Sequence, residues 1–378
     1  MKIFEKQIRM DPGVQKNCRQ VLPYPSGHIC FFDIETTGLS PQVSSLYLIG
    51  ASCFTGGGLS LTQWFADDYV SEEEILRSFA RFTEDFSVFI HYNGSTFDIP
   101  YLEKKYQAHG LTSPFSGKEN LDLYRLARKR KNWFATTDMK LTTMERFLGF
   151  QRNDRFTGKD CIRLYTEFMQ KKYFRDSLSE KRRDQLLLHN HDDLLGTVLC
   201  SQLLFYTSYT PVHPVCEITA TPEDGPDTGA LCTDTPCLVL SDTVNGSFPV
   251  PVCTRQDDIL YSFHSHQLRI TIPLYEGTLY HFYRDYKNYY YLPEEDSAVH
   301  KSVGIYVDPA HRQKATAANC YTKKTGQFLP LPQKLIPEES VPLFRQERRG
   351  GQAFLWIDEK QPALSEAFLC RLLGYLLG

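Results

Sequence analysis

Residues 27–39 read Gly-His-Ile-Cys-Phe-Phe-Asp-Ile-Glu-Thr-Thr-Gly-Leu. After a Pro/Gly turn, the short apolar run suits a buried strand. That strand ends in two carboxylates at alternate positions, Asp33 and Glu35. Side chains alternate faces along a strand, so both acids point the same way. Two anions side by side repel unless something positive sits between them, and a divalent cation is the usual answer. The plainer reading is a pair of solvated acids at a strand end. The depletion of Asp and Glu in strand interiors favours the metal. Thr36, Thr37 and Gly38 follow, and the glycine permits a tight backbone approach to a bound ligand.

Outward from this stretch, residues 46–54 and 58–65 are strand-like and flank the glycines at 56–58, which predicts a hairpin. Ser71 and Glu74 have the spacing of a capping box. Ile75, Leu76, Phe79, Phe82 and Phe86 then repeat at helical spacing. Residues 87–92 read as another strand, stopping at Asn93-Gly94. Helical patterns fill 121–129, 140–150 (with Thr142 and Glu145 as a cap pair), 160–174 and 183–205. Strands first, with helices between and after, predict an α/β fold in which a mixed sheet is flanked by helices.

Two further segments carry chemistry. In Ile90-His91-Tyr92-Asn93-Gly94-Ser95-Thr96-Phe97-Asp98 a strand runs through a turn into a helix start. Asp98 sits at that start, where a carboxylate is electrostatically comfortable, so it reads either as a metal ligand or as a first-turn acid. Asn93 is a turn residue and a candidate donor to a phosphate. In Leu188-His189-Asn190-His191-Asp192-Asp193, His189 and Asp193 are i and i+4 and share one helix face. Asp193 can then ligate a metal while His189 reaches an attacking water. The alternative is a His–Asp pair satisfying itself inside the protein. The apolar residues on both sides predict that this helix is buried, where Asp and His are costly without a purpose.

The order strand D-x-E, strand-to-helix Asp, helix H-x-x-x-D resembles the DEDD (DnaQ-like) 3′–5′ exonuclease superfamily, and is most similar to YprB-type ribonuclease H-like proteins. The resemblance covers roughly residues 25–208. It implies a ribonuclease H-like fold, and it implies that Asp33, Glu35, Asp98 and Asp193 hold two Mg2+ or Mn2+ ions. His189 would join them as a catalytic residue, and Thr36, Thr37, Gly38, Tyr92 and Asn93 would contact substrate. It further implies hydrolysis from the 3′ end of a single-stranded DNA or RNA. One departure stands out. The superfamily divides into a tyrosine type, Y-x-x-x-D, and a histidine type, H-x-x-x-x-D, and this chain has histidine at the tyrosine spacing. Asp192 does not restore the histidine spacing, so His189 is expected to take the tyrosine's place in orienting or deprotonating water. In-line attack on a phosphodiester needs an activated water and a stabilised leaving oxygen, which two metals about 3.5–4 Å apart supply. A structure-selective endonuclease on the same site, and a binding module of the same fold with little catalysis, are the competing readings.

At 378 residues the chain is long enough for two domains. We expect an N-terminal extension at 1–24, a ribonuclease H-like domain at 25–208, a linker at 209–237 and a smaller β-rich domain at 238–378. The linker is rich in Pro, Thr, Asp and Gly. In the β-rich part, the alternation of Leu268, Ile270, Ile272 and Leu274 followed by Glu276-Gly277 predicts a hairpin into residues 279–283. Leu364, Phe368, Leu372 and Tyr375 are expected on one face of a closing helix. The tyrosines at 286 and 289–291 read as core in preference to a base-stacking surface. His264 and His266 alternate, without a carboxylate or cysteine at matching spacing.

Net charge is −3, so polyanion binding must rest on local basic runs: 125–131, 171–175, 181–183, and Arg152, Arg155 and Lys159. The charged N-terminus has no signal-peptide core, and no stretch of about 18 apolar residues spans a membrane. Eleven scattered cysteines, with Cys232 and Cys237 off zinc-knuckle spacing, fit a reduced, cytoplasmic protein.

Overall fold

A computed structural model of the chain describes residues 1–174, 177–208, 211–219, 235–333, 335, 341–349, 351–357 and 364–377. Its contacts divide it into two units, Met1–Tyr209 with Asn245–Val250, and Thr210–Val244 with Pro251–Gly378.

The first unit runs β1 (Lys2–Arg9), α1 (Pro12–Val21), β2 (Ile29–Thr36), β3 (Leu46–Thr55), β4 (Gly58–Phe65), α2 (Glu72–Phe82), β5 (Val88–His91), α3 (Asp98–Ala108), β6 (Glu119–Asp122), α4 (Leu123–Arg128), α5 (Leu141–Phe147), α6 (Gly158–Tyr173), α7 (Leu178–Cys200) and α8 (Leu204–Thr207). Its six strands lie in the order β1-β4-β3-β2-β5-β6. β2 pairs antiparallel with β3 and parallel with β5, so the sheet is mixed and ribonuclease H-like. The strand that carries Asp33 and Glu35 is thus central, with neighbours on both sides.

The alternation read from residues 29–36 has a physical consequence. Phe32 turns to the α2 side, where its ring meets Phe79, Phe89 and Phe115 at 5.4–6.0 Å. All four rings are buried. Asp33 and Glu35 turn the other way, toward Asn190 and His189 of α7. One strand thus anchors the core with one face and presents carboxylates with the other.

Several expectations need correction. Residues 2–9 are not an extension outside the domain: they form β1, antiparallel to β4 from Lys2↔Phe65 to Arg9↔Gly58. The polar side chains of this exposed edge strand hide it, because little of either face is covered. The capping box at Ser71 does not form. Ser71 is the N-cap of α2 without a side-chain cap bond. Its hydroxyl donates to Asp68 at 2.6 Å, and Glu74 pairs with the N-terminal ammonium at 3.3 Å. Glu145 is likewise no cap residue; it is completely buried within α5. β6 has no sequence signal because Glu-Asn-Leu-Asp carries no apolar pattern.

The second unit contains β7 (Val215–Thr219), β8 (Cys237–Thr243), β9 (Val252–Gln256), β10 (Ile259–His264), β11 (Gln267–Pro273), β12 (Tyr275–Phe282), β13 (Tyr289–Leu292), β14 (Ser297–His300), α9 (Lys301–Gly304), β15 (Gln313–Lys314), β16 (Tyr321–Leu331), β17 (Leu343–Phe344), β18 (Ala353–Ile357) and α10 (Glu366–Leu377). They form sheets of five, four and three strands. β7 lies inside the expected linker, paired with β8; much of that linker, including Cys232, is outside the described residues. The expected hairpin through Glu276-Gly277 is overturned. β11 pairs with β10 around Ser265 (φ 52°), whereas β12 belongs to another sheet and pairs with β16. Gly277 (φ 156°) faces Gly326 (φ 151°) within that ladder. Tyr283, Tyr286, Tyr289 and Tyr291, each half-buried, pack on a small buried cluster of Ala298, Ala315 and Cys320, while Tyr290 lies beneath Lys301 and Arg312. In α10, Phe368 and Leu372 are buried, Tyr375 is 45% exposed and Leu364 precedes the helix.

One short segment crosses the sequence boundary. Residues 245–250 belong to the first unit. There Asn17 donates to the Ser247 carbonyl at 2.7 Å and accepts from its amide at 3.0 Å, while Phe248 packs on Tyr206.

Candidate active site

The acids that lie far apart in the sequence come together at the β2–α7 contact. One carboxylate oxygen from each of Asp33, Glu35 and Asp193 lies within 4.8 Å of the others. Asp98, in the first turn of α3, stands outside that cluster but within electrostatic reach of all three. Burial pushes Asp33 well above the usual carboxylate range, and the charges of Asp193, Asp98 and Glu35 add to it. Glu35 is pushed up to about 7 by burial, with Asp193 adding to the rise and His189 opposing it. Asp98 is also pushed to about 7 by burial, against the pull of the Asp98 and Ile34 amides. A protein that crowds anions this way either protonates them or neutralises them with a cation.

His189 faces the same cluster. Its Nε2 is 3.5 Å from Glu35 Oε1 and 3.6 Å from Asp193 Oδ2. Burial lowers its pKa, but the charges of Glu35, Asp193 and Asp154 outweigh that and raise it above the ordinary value. The i, i+4 spacing does put His189 and Asp193 on one face, and α7 is buried around them, as expected.

The support around these groups has no signature in the sequence. Asn190 donates to Asp33 at 2.8 Å and accepts from Gln63 at 2.8 Å, bridging β2, β4 and α7. The Tyr47 hydroxyl donates to Glu35 at 3.3 Å. Arg152, one of the basic residues considered for polyanion binding, pairs with Asp193, and its Nε lies 3.5 Å from the completely buried Glu145. Glu145 is itself pushed up to about 7, chiefly by burial, with Arg152 pulling it down. Neither Glu145 oxygen has a hydrogen-bond partner. Cys161, buried on α6, also reaches Glu35 and His189, and burial and the neighbouring acids raise its pKa; its soft sulfur is a poor match for a hard divalent ion.

Tight backbone contact makes the approach of α7 possible. Gly50 of β3 sits directly beneath it: a Cβ there would overlap Asn190 Oδ1 and lie 2.7 Å from Leu194. Gly50→Ala is therefore expected to push α7 away and break the Asn190–Asp33 bond. The cost is about 2 kcal/mol of stability from overpacking, together with a loss of activity. Urea unfolding of the two proteins checks it; unchanged stability would mean the helix–strand contact is looser than described.

The candidate substrate residues fare differently. The turn bearing Asn93 (φ 66°) is held by Asp122, which accepts from the Asn93 and Ser95 amides at 3.0 and 3.3 Å. Buried His91, its pKa lowered to about 4 by burial, accepts from Gly94. The Asn93 side chain is exposed but already accepts from Thr96. The Tyr92 hydroxyl donates to the Met139 carbonyl at 2.6 Å. Thr36 and Thr37 are used within their own loop, on Gly38 and Ser45. Of the basic runs, Arg125, Lys172, Arg182 and Arg183 are engaged by acids of the same unit. His264 and His266 flank the β10–β11 turn, and neither belongs to a cluster with metal-ligand geometry among the described residues.

Residues 30–204 match the family model RNase_H_2, described as RNase_H superfamily. This part of the chain has a ribonuclease H-like fold. Among solved structures it is similar to the family B DNA polymerase of the hyperthermophilic archaeon Pyrobaculum calidifontis, with 19% identity over 48% of this chain and 25% of that one, at a TM-score of 0.39. It is also similar to a product-bound exonuclease I (10% identity, 57% and 58% covered, TM-score 0.31). A third likeness is E. coli exonuclease I in complex with a dA16 oligonucleotide (14%, 57% and 54%, TM-score 0.26). The chain thus spans a quarter to under three-fifths of those chains. No curated protein matches. Among the described residues, no helix is long and apolar enough to cross a membrane.

Proposed function

We propose that the first unit is a metal-dependent nuclease that hydrolyses phosphodiester bonds, as a 3′–5′ exonuclease on single-stranded DNA or RNA. The observation that carries this reading is the convergence of Asp33, Glu35 and Asp193 within 4.8 Å beside His189. The donor set fits hard divalent ions: it is all oxygen, crowded and half-buried, with pKa values raised in a way that a cation would reverse. Asp33, Glu35, Asp98 and Asp193 would hold Mg2+ or Mn2+. A bound ion of this kind supplies charge stabilisation to the reacting phosphate and lowers the pKa of water.

The chain's own groups do the rest. Asn190 and Tyr47 hold Asp33 and Glu35 in place, and His189 Nε2 is the group placed to take a proton from water. Thr36, Thr37, Gly38 and Asn93 follow or neighbour the acids in the chain and would line the strand end. Cys18, Cys30, Cys161 and Cys200 are buried free thiols, as a reducing, cytoplasmic compartment would keep them.

Purified protein with Mn2+ should shorten a linear labelled single strand and leave a circular one intact, and EDTA should stop it. Cutting of the circle would make the protein an endonuclease. A second reading, binding without cleavage, draws on the Arg152–Asp193 pair, because that guanidinium already neutralises one of the acids. Retention of the strand with no cleavage in any divalent ion would establish it.

A further inference from the structure

The chain carries two adjacent acids, Asp192 and Asp193, and only Asp193 faces the carboxylate cluster. Asp192 is completely buried and turned the other way. Its Oδ2 accepts from the backbone amides of Asn153 at 2.8 Å and Asp154 at 2.9 Å. Its pKa is lowered: burial raises it, but the His191 bond and these two amides outweigh burial. Asp192 therefore pins the 153–154 turn onto α7. The turn delivers one side chain inward. Asp154, its side chain 1% exposed, places Oδ2 2.6 Å from His189 Nδ1, and its Oδ1 accepts from the Phe156 amide at 3.1 Å. A buried carboxylate at that distance accepts a hydrogen bond from Nδ1–H, which leaves Nε2 as the unprotonated nitrogen of the neutral ring, toward Glu35 and Asp193.

We propose that Asp154 is a positioning residue that fixes the tautomer and ring orientation of His189, with Asp192 as the anchor of the loop that carries it. The inference rests on the hydrolase reading for its purpose, though not for its geometry. It also gives the histidine at tyrosine spacing a physical role: a tyrosine hydroxyl presents its proton without outside help, whereas an imidazole must be told which nitrogen carries it. Asp154 supplies that instruction from an element outside the helix. Without it, rotation of the imidazole about its bond to Cβ and exchange between tautomers would leave Nε2 aimed at the cluster only part of the time.

Asp154→Asn is the informative variant because it is isosteric. The Phe156 amide retains the side-chain oxygen of Asn, so the NH2 group faces Nδ1 and donates to it, moving the imidazole proton to Nε2. Full-length protein is labelled with 15N-histidine, freed of metal, and studied at alkaline pH, with His189→Gln assigning the ring. Wild type should show the Nδ1–H tautomer, and Asp154→Asn the Nε2–H tautomer with an unchanged circular dichroism spectrum. In parallel, kcat on a linear single strand should fall about 10- to 100-fold, the usual range for an outer partner of this kind, while KM stays within about twofold. Asp154→Glu should recover part of kcat. An Nε2–H tautomer in wild type overturns the proposal, as does a variant that keeps both the Nδ1–H signal and kcat. If the wild type hydrolyses no nucleic acid, the hydrolase reading fails, while the tautomer measurement still decides the Asp154 contact.

Discussion

Asp33→Asn should reduce hydrolysis by at least about 1,000-fold, the scale set by ~4 kcal/mol of lost transition-state stabilisation, while making the metal-free protein more stable. The two effects share one cause. Asp33 is held far above its ordinary pKa by burial and by Asp193, Asp98 and Glu35, so its charged form is strained in the metal-free fold. Asparagine keeps the shape, and its oxygen still accepts from Asn190. It cannot contribute charge to a cation, and it no longer repels its neighbours. A gain of about 1–2 kcal/mol would raise the melting temperature in EDTA by roughly 2–8 °C for a unit of this size. Thermal unfolding in EDTA and a single-turnover assay on a labelled strand read the two halves separately. An active Asp33→Asn enzyme removes Asp33 from the chemistry. An inactive but destabilised one removes the electrostatic account.

Metal-free protein should also lose stability as pH rises, and divalent ion should restore it. Glu35 and Asp98 are each raised to about 7, from 4.5 and 3.8. Glu145 is raised to about 7 from 4.5. Between roughly pH 4 and 7 the folded protein therefore holds more protons than the unfolded chain, so the stabilisation is complete below that window and disappears as pH climbs through it. His189, also raised, works in the same direction. His91, lowered to about 4, works in the opposite one and offsets part of the effect below its unfolded value of 6.5. The net loss between about pH 5 and pH 8 should be on the order of 3 kcal/mol, given about 1.4 kcal/mol for each tenfold difference in proton affinity between folded and unfolded protein, and partial cancellation. Mn2+ at 100 times its dissociation constant should return about 2.7 kcal/mol. Urea titrations at the two pH values, with EDTA or Mn2+, are the measurement. A metal-free protein that is equally or more stable at the higher pH would contradict the buried, like-charged arrangement.

Much of the fold is legible because it depends on local pattern. The apolar run ending in Asp33 and Glu35, the hairpin of β3 and β4, and α6 and α7 all announce themselves through periodicity, since burial on one face imposes a period of two or 3.6 residues. What escapes has an equally definite cause. β1 and β6 lie at the two edges of the sheet, where one side chain in two or fewer is covered, so their polar composition gives no signal. The expected β11–β12 hairpin fails because Glu276-Gly277 looks like a turn, whereas the positive φ of Gly277 serves a ladder opposite Gly326.

The candidate site divides along the same line. Local sequence is enough to pick out the residues that have the chemistry: alternation put Asp33 and Glu35 on one face, and helical spacing put His189 beside Asp193. Their surroundings come from long-range packing. That Asp154 meets His189, Asn190 meets Asp33 and Arg152 meets Asp193 depends on how one loop and one strand pack against α7, at separations of 35 and 157 residues for the first two pairs. No local periodicity encodes such pairings. They are set by where buried polar groups find partners once the core has closed, because an unpaired charge inside costs more than any single favourable contact returns.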